Sequence, residues 1–109
     1  ATATFELLEI ANQKAKEQGC NYRVGNILSS DVFYSKNSPV EKWAQMGVLA
    51  VEMESYALYT IAAELRKSAL CILTVSDSLV LDENLSPLER QNGFTNMMEI
   101  ALKTAYEYI

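Results

Sequence analysis

Two short apolar runs, at residues 48–51 and 69–75, constrain the fold of this chain more than any other feature. The second run, with its β-branched members, is typical of a strand that is buried on both faces of a parallel sheet. Apolar residues at helical spacing occur at residues 4–18, 54–67 and 86–109. Because strands that alternate with helices indicate a sheet between layers of helices, the sequence predicts a three-layer α/β fold.

Local signals mark the ends of several predicted elements. Gly19 ends the first helix, and a strand is expected at residues 22–28. A proline at position 39 is expected to begin a short helix that runs to residue 45.

The last helix has the clearest start in the chain. Ser86 is placed as its cap, Pro87 as its first residue and Glu89 as the capping-box partner. Six apolar residues are then predicted to form its core-facing side: Phe94, Met97, Met98, Ala101, Leu102 and Ala105.

The predicted sheet is incomplete, because only about three strands are visible in 109 residues. A strand buried in a parallel sheet needs neighbours on both sides, and the sequence starts inside a helix with no lead-in. One domain at most fits this length, since domains typically contain about 100–150 residues. We therefore expect residues 1–109 to be the C-terminal portion of a single larger domain.

Composition argues against several functional classes. A net charge of −5 disfavours nucleic acid as a partner. No apolar run approaches the roughly 18 residues of a membrane span, and a signal peptide is not expected. Cys20 and Cys71 have no metal-like spacing, so we expect no metal site and reduced thiols in a cytoplasmic protein. Histidine is absent, which excludes a Ser/His or Cys/His nucleophilic site within this chain.

Residues 51–54, Val-Glu-Met-Glu, place two carboxylates where a predicted strand gives way to a helix. Ligands of α/β sheets bind at this end of the strands. In extended backbone, Glu52 and Glu54 point the same way and Met53 points the opposite way. Two carboxylates beside a soft apolar surface suit a polyol with a flat face, such as a sugar. The alternative is the polar start of a helix, where glutamate complements the dipole, and the residues alone leave both interpretations open.

A second group of polar residues follows the second apolar run. Ser76 and Asp77 come first, and Arg90 lies thirteen residues after Asp77, near the start of the last helix. A cation there opposes the helix dipole, which indicates a specific partner, and Asp77 is the obvious one. Two alternatives stay open: Asp77 as a turn former, and an ion pair of Arg90 with Glu89 or Asp82.

Four segments occur in one order with fitting intervals, at residues 30–35, 51–54, 74–77 and 89–91. Together they resemble the C-terminal half of the bacterial, hexameric type of purine nucleoside phosphorylase, in the nucleoside phosphorylase/nucleosidase superfamily. The resemblance covers essentially the whole chain. Glu-Met-Glu marks the superfamily, and Ser-Asp with an Arg thirteen residues later marks the purine phosphorylases within it.

The resemblance implies substrate-binding roles around the sugar and the base. Glu54 would bind the ribose hydroxyls, Met53 would pack on the sugar, and Glu52 would lie against the nucleoside. Phe33 would stack on or line the base, with Val51 behind it. From the residues alone, an aromatic in such a loop is either a core anchor or a stacking platform.

The resemblance also assigns the proton-transfer residues. Ser76 and Asp77 would face the purine edge, with Asp77 as the general acid. Arg90 would pair with Asp77 and help to trigger proton transfer.

The implied reaction is phosphorolysis of purine (deoxy)ribonucleosides to free purine and (deoxy)ribose 1-phosphate, in purine salvage. The resemblance implies phosphate as co-substrate, no cofactor, and a cytoplasmic homohexamer built as a trimer of dimers. Members of the family hold phosphate with residues of the N-terminal half and of a neighbouring subunit, none of which is in this sequence. We therefore expect the fragment alone to be inactive. A nucleosidase, a uridine phosphorylase and a non-catalytic nucleoside-binding fragment stay open as alternatives, although Asp77 argues against the uridine enzyme.

Overall fold

The computed structural model describes residues 1–32, 39–78 and 86–109. The elements in these ranges are α1 (Phe5–Gln18), β1 (Ile27–Ser29), α2 (Val40–Gln45), β2 (Ala50–Glu52), α3 (Ser55–Glu64) and α4 (Pro87–Tyr108). β1 and β2 pair in parallel, with Ser29 opposite Glu52. The chain thus forms a partial α/β fold of helices and a small parallel sheet. Of the helices that the structure describes, none is both long enough and apolar enough to span a membrane.

The packed centre of the structure lies between α1 and α4. Ala11 and Ala15 of α1 and Ile100 of α4 are buried together, so small side chains on one helix accommodate a large one on the other. Four half-buried residues pack around this centre: Cys20, Tyr22, Leu70 and Ile72. Removal of this apolar surface from water favours the pairing of the first and last helices.

The predicted helix ends are confirmed where a specific cap was expected. Gly19 follows α1 in the left-handed region, with φ of 71°, which glycine adopts without steric cost. The Ser86 hydroxyl accepts a hydrogen bond from the Glu89 amide at 3.1 Å, and the Glu89 carboxylate accepts one from the Ser86 amide at 3.1 Å. Pro87 occupies the first turn of α4, so the whole capping box is present.

The predicted core-facing side of α4 is partly wrong. Ile100 and Thr104 are the buried residues of this helix. Four of the six predicted residues are exposed: Phe94, Met98, Leu102 and Ala105. The helix turns the positions of Ile100 and Thr104 toward α1, because α1 is the element against which it packs. The apolar residues next to those positions therefore remain on an uncovered face.

The strand predictions located the sheet but overestimated it. The strand expected at residues 22–28 is observed only at Ile27–Ser29, and that expected at 48–51 is observed at Ala50–Glu52. The strand predicted at residues 69–75 is wrong: these described residues are irregular, and only Asp77 forms an isolated bridge. A strand requires a hydrogen-bonding neighbour along its length, and the described residues supply this segment with a few isolated partners.

Residues 69–76 are nevertheless held in place by both terminal helices. The Thr4 amide donates to the Ala69 carbonyl and the Ala69 amide donates to the Thr4 hydroxyl, both at 2.9 Å. The Thr74 hydroxyl donates to the Gly93 carbonyl of α4 at 3.1 Å. A Cβ on Gly93 would lie 2.7 Å from Thr74 Cγ2, so only glycine permits this approach. The segment therefore runs directly beside the first part of α4.

Helix α3 carries an apolar face that the described residues do not cover. Leu58, Ile61 and Leu65 lie at helical spacing and are 46%, 54% and 61% exposed. We call these three residues the α3 face. The predicted helix at residues 54–67 was longer than the observed Ser55–Glu64, and Arg66 follows it with φ of 55°.

Candidate active site

The junction of β2 and α3 is organised by the carboxylate of Glu52. Its Oε2 accepts hydrogen bonds from the backbone amides of Glu54 at 2.6 Å and Ser55 at 2.7 Å. Its Oε1 accepts one from the Ser55 hydroxyl. Glu52 thus satisfies the backbone amides at the start of α3, which have no partner within the helix.

Several hydrogen bonds keep Glu52 ionised against the effect of its surroundings. Partial burial alone would raise the pKa of the Glu52 carboxyl. The bonds from the Ser55 hydroxyl, from the amides of Glu54 and Ser55, and from Ser29 outweigh that effect and lower the pKa below its ordinary value. The carboxylate is therefore the stable form of Glu52 at neutral pH.

Ser29 connects the end of β1 to the same junction. Its hydroxyl accepts a hydrogen bond from the Tyr56 amide of α3 at 3.1 Å. The Ser30 amide donates to the Glu52 carbonyl at 2.9 Å. Because the two strands are in parallel register here, both strand ends and the start of α3 form one hydrogen-bonded unit.

Glu54 and Met53 occupy the turn that Glu52 holds. Both residues are exposed, with Met53 38% exposed. The Glu54 carboxylate accepts a hydrogen bond from the Met53 amide at 3.1 Å. It has no side-chain partner among the described residues. Glu54 and Met53 are therefore the members of the junction that a ligand can reach, whereas Val51 is half-buried in β2.

Cys71 lies near Glu52 and Glu54. Burial raises the pKa of the Cys71 thiol, and the charges of Glu52 and Glu54 raise it further. The Cys71 amide donates to the Tyr59 hydroxyl of α3 at 2.8 Å, so this contact fixes the segment before Asp77 against α3. Both Cys20 and Cys71 are free thiols. No group of three His, Cys, Asp or Glu side chains in the described part of the chain could hold a metal ion.

Asp77 and Arg90 meet at the other end of that segment. Arg90 Nη2 donates to Asp77 Oδ1 at 3.0 Å, and the two side chains are 43% and 49% exposed. The Ser76 hydroxyl donates to Asp77 Oδ2 at 3.4 Å. The expected pairing of Asp77 with Arg90 is present, although both residues keep a solvent-accessible part.

The position of Arg90 along α4 explains why it meets Asp77. Arg90 lies about one helical turn before Gly93, and the Gly93–Thr74 contact brings α4 against the segment that ends in Asp77. The structure thus forms two clusters, one around Glu52 and Glu54 and one around Asp77 and Arg90. Phe33 lies outside the described residues, as does Asp82.

Sequence reasoning missed three residues that shape these clusters. Ser55 could have been noticed, since serine is common at helix starts and hydrogen-bonds there. Gly93 within a helical pattern was also a signal, because a glycine there often reflects a close packing contact. Ser29 carried no sequence signal, because its partner Tyr56 is distant in the chain.

Comparison with known proteins decides the family. The family profile described as Phosphorylase superfamily matches residues 1–109. The chain belongs to the phosphorylase superfamily.

Three proteins similar to this chain share one name. A protein of Anoxybacillus flavithermus named "Purine nucleoside phosphorylase DeoD-type" is 48% identical over 104 residues, which cover 95% of this chain and 44% of the relative. Relatives of the same name from Thermoanaerobacter sp. (strain X514) and Clostridium beijerinckii are 53% and 55% identical, with 95% and 94% of this chain and 45% and 44% of the relatives covered. The chain therefore spans less than half the length of these curated relatives.

Membership in the phosphorylase superfamily confirms the resemblance inferred from the order of the four segments. It also agrees with the prediction of an α/β fold present in part. The roles of the individual site residues stay predictions, and the contacts above show which of them the fold places within reach of a ligand.

Proposed function

We propose that this chain carries the nucleoside-binding half of a purine nucleoside phosphorylase site. The observation that carries the proposal is the Asp77–Arg90 ion pair, in a chain about half identical to proteins named as such phosphorylases. A carboxyl group beside a guanidinium can give a proton to a leaving base and leave behind a carboxylate that the cation stabilises. The reaction would release purine from purine (deoxy)ribonucleosides and form (deoxy)ribose 1-phosphate.

Sugar binding is proposed for Glu54 and Met53, with Glu52 behind them in the same turn. Cleavage of an N-glycosidic bond builds positive charge on the sugar ring, and a carboxylate near the ribose favours that charge. The exposed Glu54 carboxylate can accept hydrogen bonds from ribose hydroxyls, while Met53 offers an apolar surface to the ring. Their exposure in a hydrogen-bonded turn supports these roles.

Leaving-group activation is proposed for Asp77. The departing purine gains negative charge, and a proton delivered to its N7 makes it a better leaving group. Arg90 would then stabilise the Asp77 carboxylate that remains after the proton has left. Ser76, bonded to Asp77, would face the purine edge, and Phe33 and Val51 would line the base.

The remaining components of the reaction would lie beyond this sequence. Phosphate would be the co-substrate, no cofactor would be needed, and the phosphate-binding groups would come from the other part of the domain. The resemblance further supports a cytoplasmic homohexamer that acts in purine salvage, with no nucleic-acid or membrane partner.

The uncovered α3 face supports the proposal that another part of the domain packs here. Three large aliphatic residues at helical spacing favour an apolar partner over water. The chain spans only 44% of the relative from Anoxybacillus flavithermus, so a partner of suitable size exists in proteins of this kind. We propose that the N-terminal half of the phosphorylase domain covers Leu58, Ile61 and Leu65.

A coupled assay tests the proposed function. The complete protein that contains this chain is incubated with inosine, and hypoxanthine is followed with xanthine oxidase in the presence and absence of phosphate. Release that depends on phosphate, together with formation of ribose 1-phosphate, is the expected result. Release at the same rate without phosphate would identify a nucleosidase, and cleavage of uridine alone would identify a uridine phosphorylase.

A further inference from the structure

Ser55 is an exception among the polar residues of the site, because it is buried. Only 4% of its surface is exposed. Its hydroxyl donates to Glu52 Oε1 and its amide donates to Glu52 Oε2. A buried polar residue whose hydrogen bonds converge on one carboxylate fixes the position of that carboxylate.

The Glu52 carboxylate has little capacity left for a ligand. A carboxylate offers about four lone-pair sites, and four hydrogen bonds use them: from the Glu54 amide, the Ser55 amide, the Ser55 hydroxyl and the Ser29 side chain. Glu52 is also less exposed than Glu54. The two glutamates of the turn therefore differ: Glu52 is directed inward and Glu54 outward.

We propose that Ser55 is a positioning residue that acts through Glu52 to hold the turn in which Glu54 faces the ribose. Glu52 in this arrangement shapes the turn and does not itself bind the sugar hydroxyls. The inference rests on the proposed function, since it needs Glu54 to be the ribose ligand. Ser29 supports the same turn from β1, because its hydroxyl holds the Tyr56 amide.

Removal of the Ser55 hydroxyl separates this arrangement from direct sugar binding by Glu52. If Glu52 only positions the turn, Ser55→Ala loosens Glu54 and weakens ribose binding. If Glu52 binds ribose directly, the same change frees its Oε1 and leaves binding unchanged or stronger. The two arrangements thus predict opposite directions for one variant.

The experiment measures kcat and KM of the complete protein for inosine and 2′-deoxyinosine. For Ser55→Ala we expect KM for inosine to rise about three- to tenfold, the range of one lost hydrogen bond. KM for 2′-deoxyinosine should rise less, because it lacks one of the hydroxyls that Glu54 binds. A general loss of folded enzyme would lower kcat and leave KM unchanged, and that result would overturn the proposal.

Thr104→Val is the matched control. Thr104 is 3% exposed and its hydroxyl donates to the Ile100 carbonyl of the same helix at 2.7 Å. The variant removes an equally buried hydroxyl from α4 and should leave KM for both substrates unchanged. A rise of KM for inosine in Thr104→Val as large as that in Ser55→Ala would also contradict a specific role for Ser55.

Two further variants complete the test. If Ser55→Ala does not fold, Ser29→Ala decides, and it should raise KM for inosine in the same direction but by a smaller factor. Glu54→Ala run in parallel separates two kinds of failure. If Glu54→Ala impairs ribose binding and Ser55→Ala leaves KM for inosine unchanged, the positioning role alone is overturned. If the unaltered protein does not cleave purine nucleosides, the proposed function is overturned.

Discussion

Arg90 Nη2 lies 3.0 Å from Asp77 Oδ1, and this ion pair joins the start of α4 to the end of the segment that follows α3. The pair unites residues thirteen positions apart, on two parts of the chain that Gly93 and Thr74 bring into contact. Its exposure means that the pair adds little to stability. We therefore expect the pair to matter for function, where the partly accessible Asp77 carboxyl group gives a proton to a ligand and Arg90 stabilises the carboxylate that remains.

The first prediction separates these two contributions of Arg90. Arg90→Gln should lower the free energy of unfolding by at most about 1 kcal/mol, because exposed ion pairs contribute no more than that. Turnover of inosine should fall by roughly tenfold or more, since proton transfer loses its cationic partner. Urea unfolding and steady-state assays on the complete protein measure both quantities.

Lys14→Gln is the control for the Arg90 variant. This variant breaks the ion pair between Lys14 Nζ of α1 and Glu107 Oε1 of α4, which are 2.8 Å apart. Both residues are distant in sequence from the two site clusters. Turnover should be unchanged in this control. Normal turnover in Arg90→Gln would remove Arg90 from the mechanism.

The second prediction concerns recognition of the sugar. Glu54→Ala should reduce cleavage of ribonucleosides and shrink the preference over 2′-deoxyribonucleosides, because charge-assisted hydrogen bonds contribute roughly 1.5–3 kcal/mol each. The ratio of kcat/KM for inosine and 2′-deoxyinosine measures this preference. An unchanged ratio in a normally folded variant would show that Glu54 serves only the helix start.

The third prediction concerns pH. Because the folded state lowers the pKa of Glu52 below its ordinary value of 4.5, the unfolded chain takes up this proton more readily than the folded protein. Glu52 therefore stabilises the folded state above pH 4.5, and the contribution is lost as pH falls through the lower folded-state pKa. Urea unfolding of the unaltered protein and of Glu52→Gln should differ at neutral pH, and the difference should shrink as pH falls below 4.5 and through the folded-state pKa. A difference that does not change with pH would contradict the hydrogen-bonded carboxylate.

The helices and the ion pair could be predicted from the sequence because their determinants are local or specific. Gly19 ends α1 by its left-handed conformation, and Ser86 with Glu89 begins α4 by reciprocal hydrogen bonds. Arg90 was assigned to Asp77 because a cation near a helix start needs a partner. Each of these signals lies in a few residues and does not depend on the rest of the domain.

The sheet could not be predicted in the same way, because a strand depends on its neighbours. Residues 69–75 have the composition of a buried strand, yet Val75 is 62% exposed and no ladder forms along them in the described residues. The inward direction of Glu52 was hidden for a similar reason. Its pairing with Ser55 and the support from Ser29 arise from the fold of the turn, whereas the two-residue spacing of the glutamates predicted that both side chains point the same way.

The fourth prediction concerns the isolated chain. Residues 1–109 expose the α3 face together with Val75 and Leu102, and exposed apolar surface of this kind favours association. We expect the purified chain to be aggregated, or folded only with the other half of the domain or in an oligomer. Sedimentation measures this directly, and Ile61→Glu should reduce association by placing a charge on the α3 face. A monodisperse monomer of the unaltered chain would contradict the account of the uncovered faces.

The most direct test of the proposed phosphorylase chemistry compares two substrates of the variant Asp77→Asn in the complete protein. Inosine needs a proton at N7 of its base as the bond breaks, whereas 7-methylguanosine already carries a positive charge there. If Asp77 is the general acid, turnover of inosine falls by roughly 10²–10⁴-fold and turnover of 7-methylguanosine falls far less. Equal losses on both substrates would contradict the assignment of Asp77 as the acid.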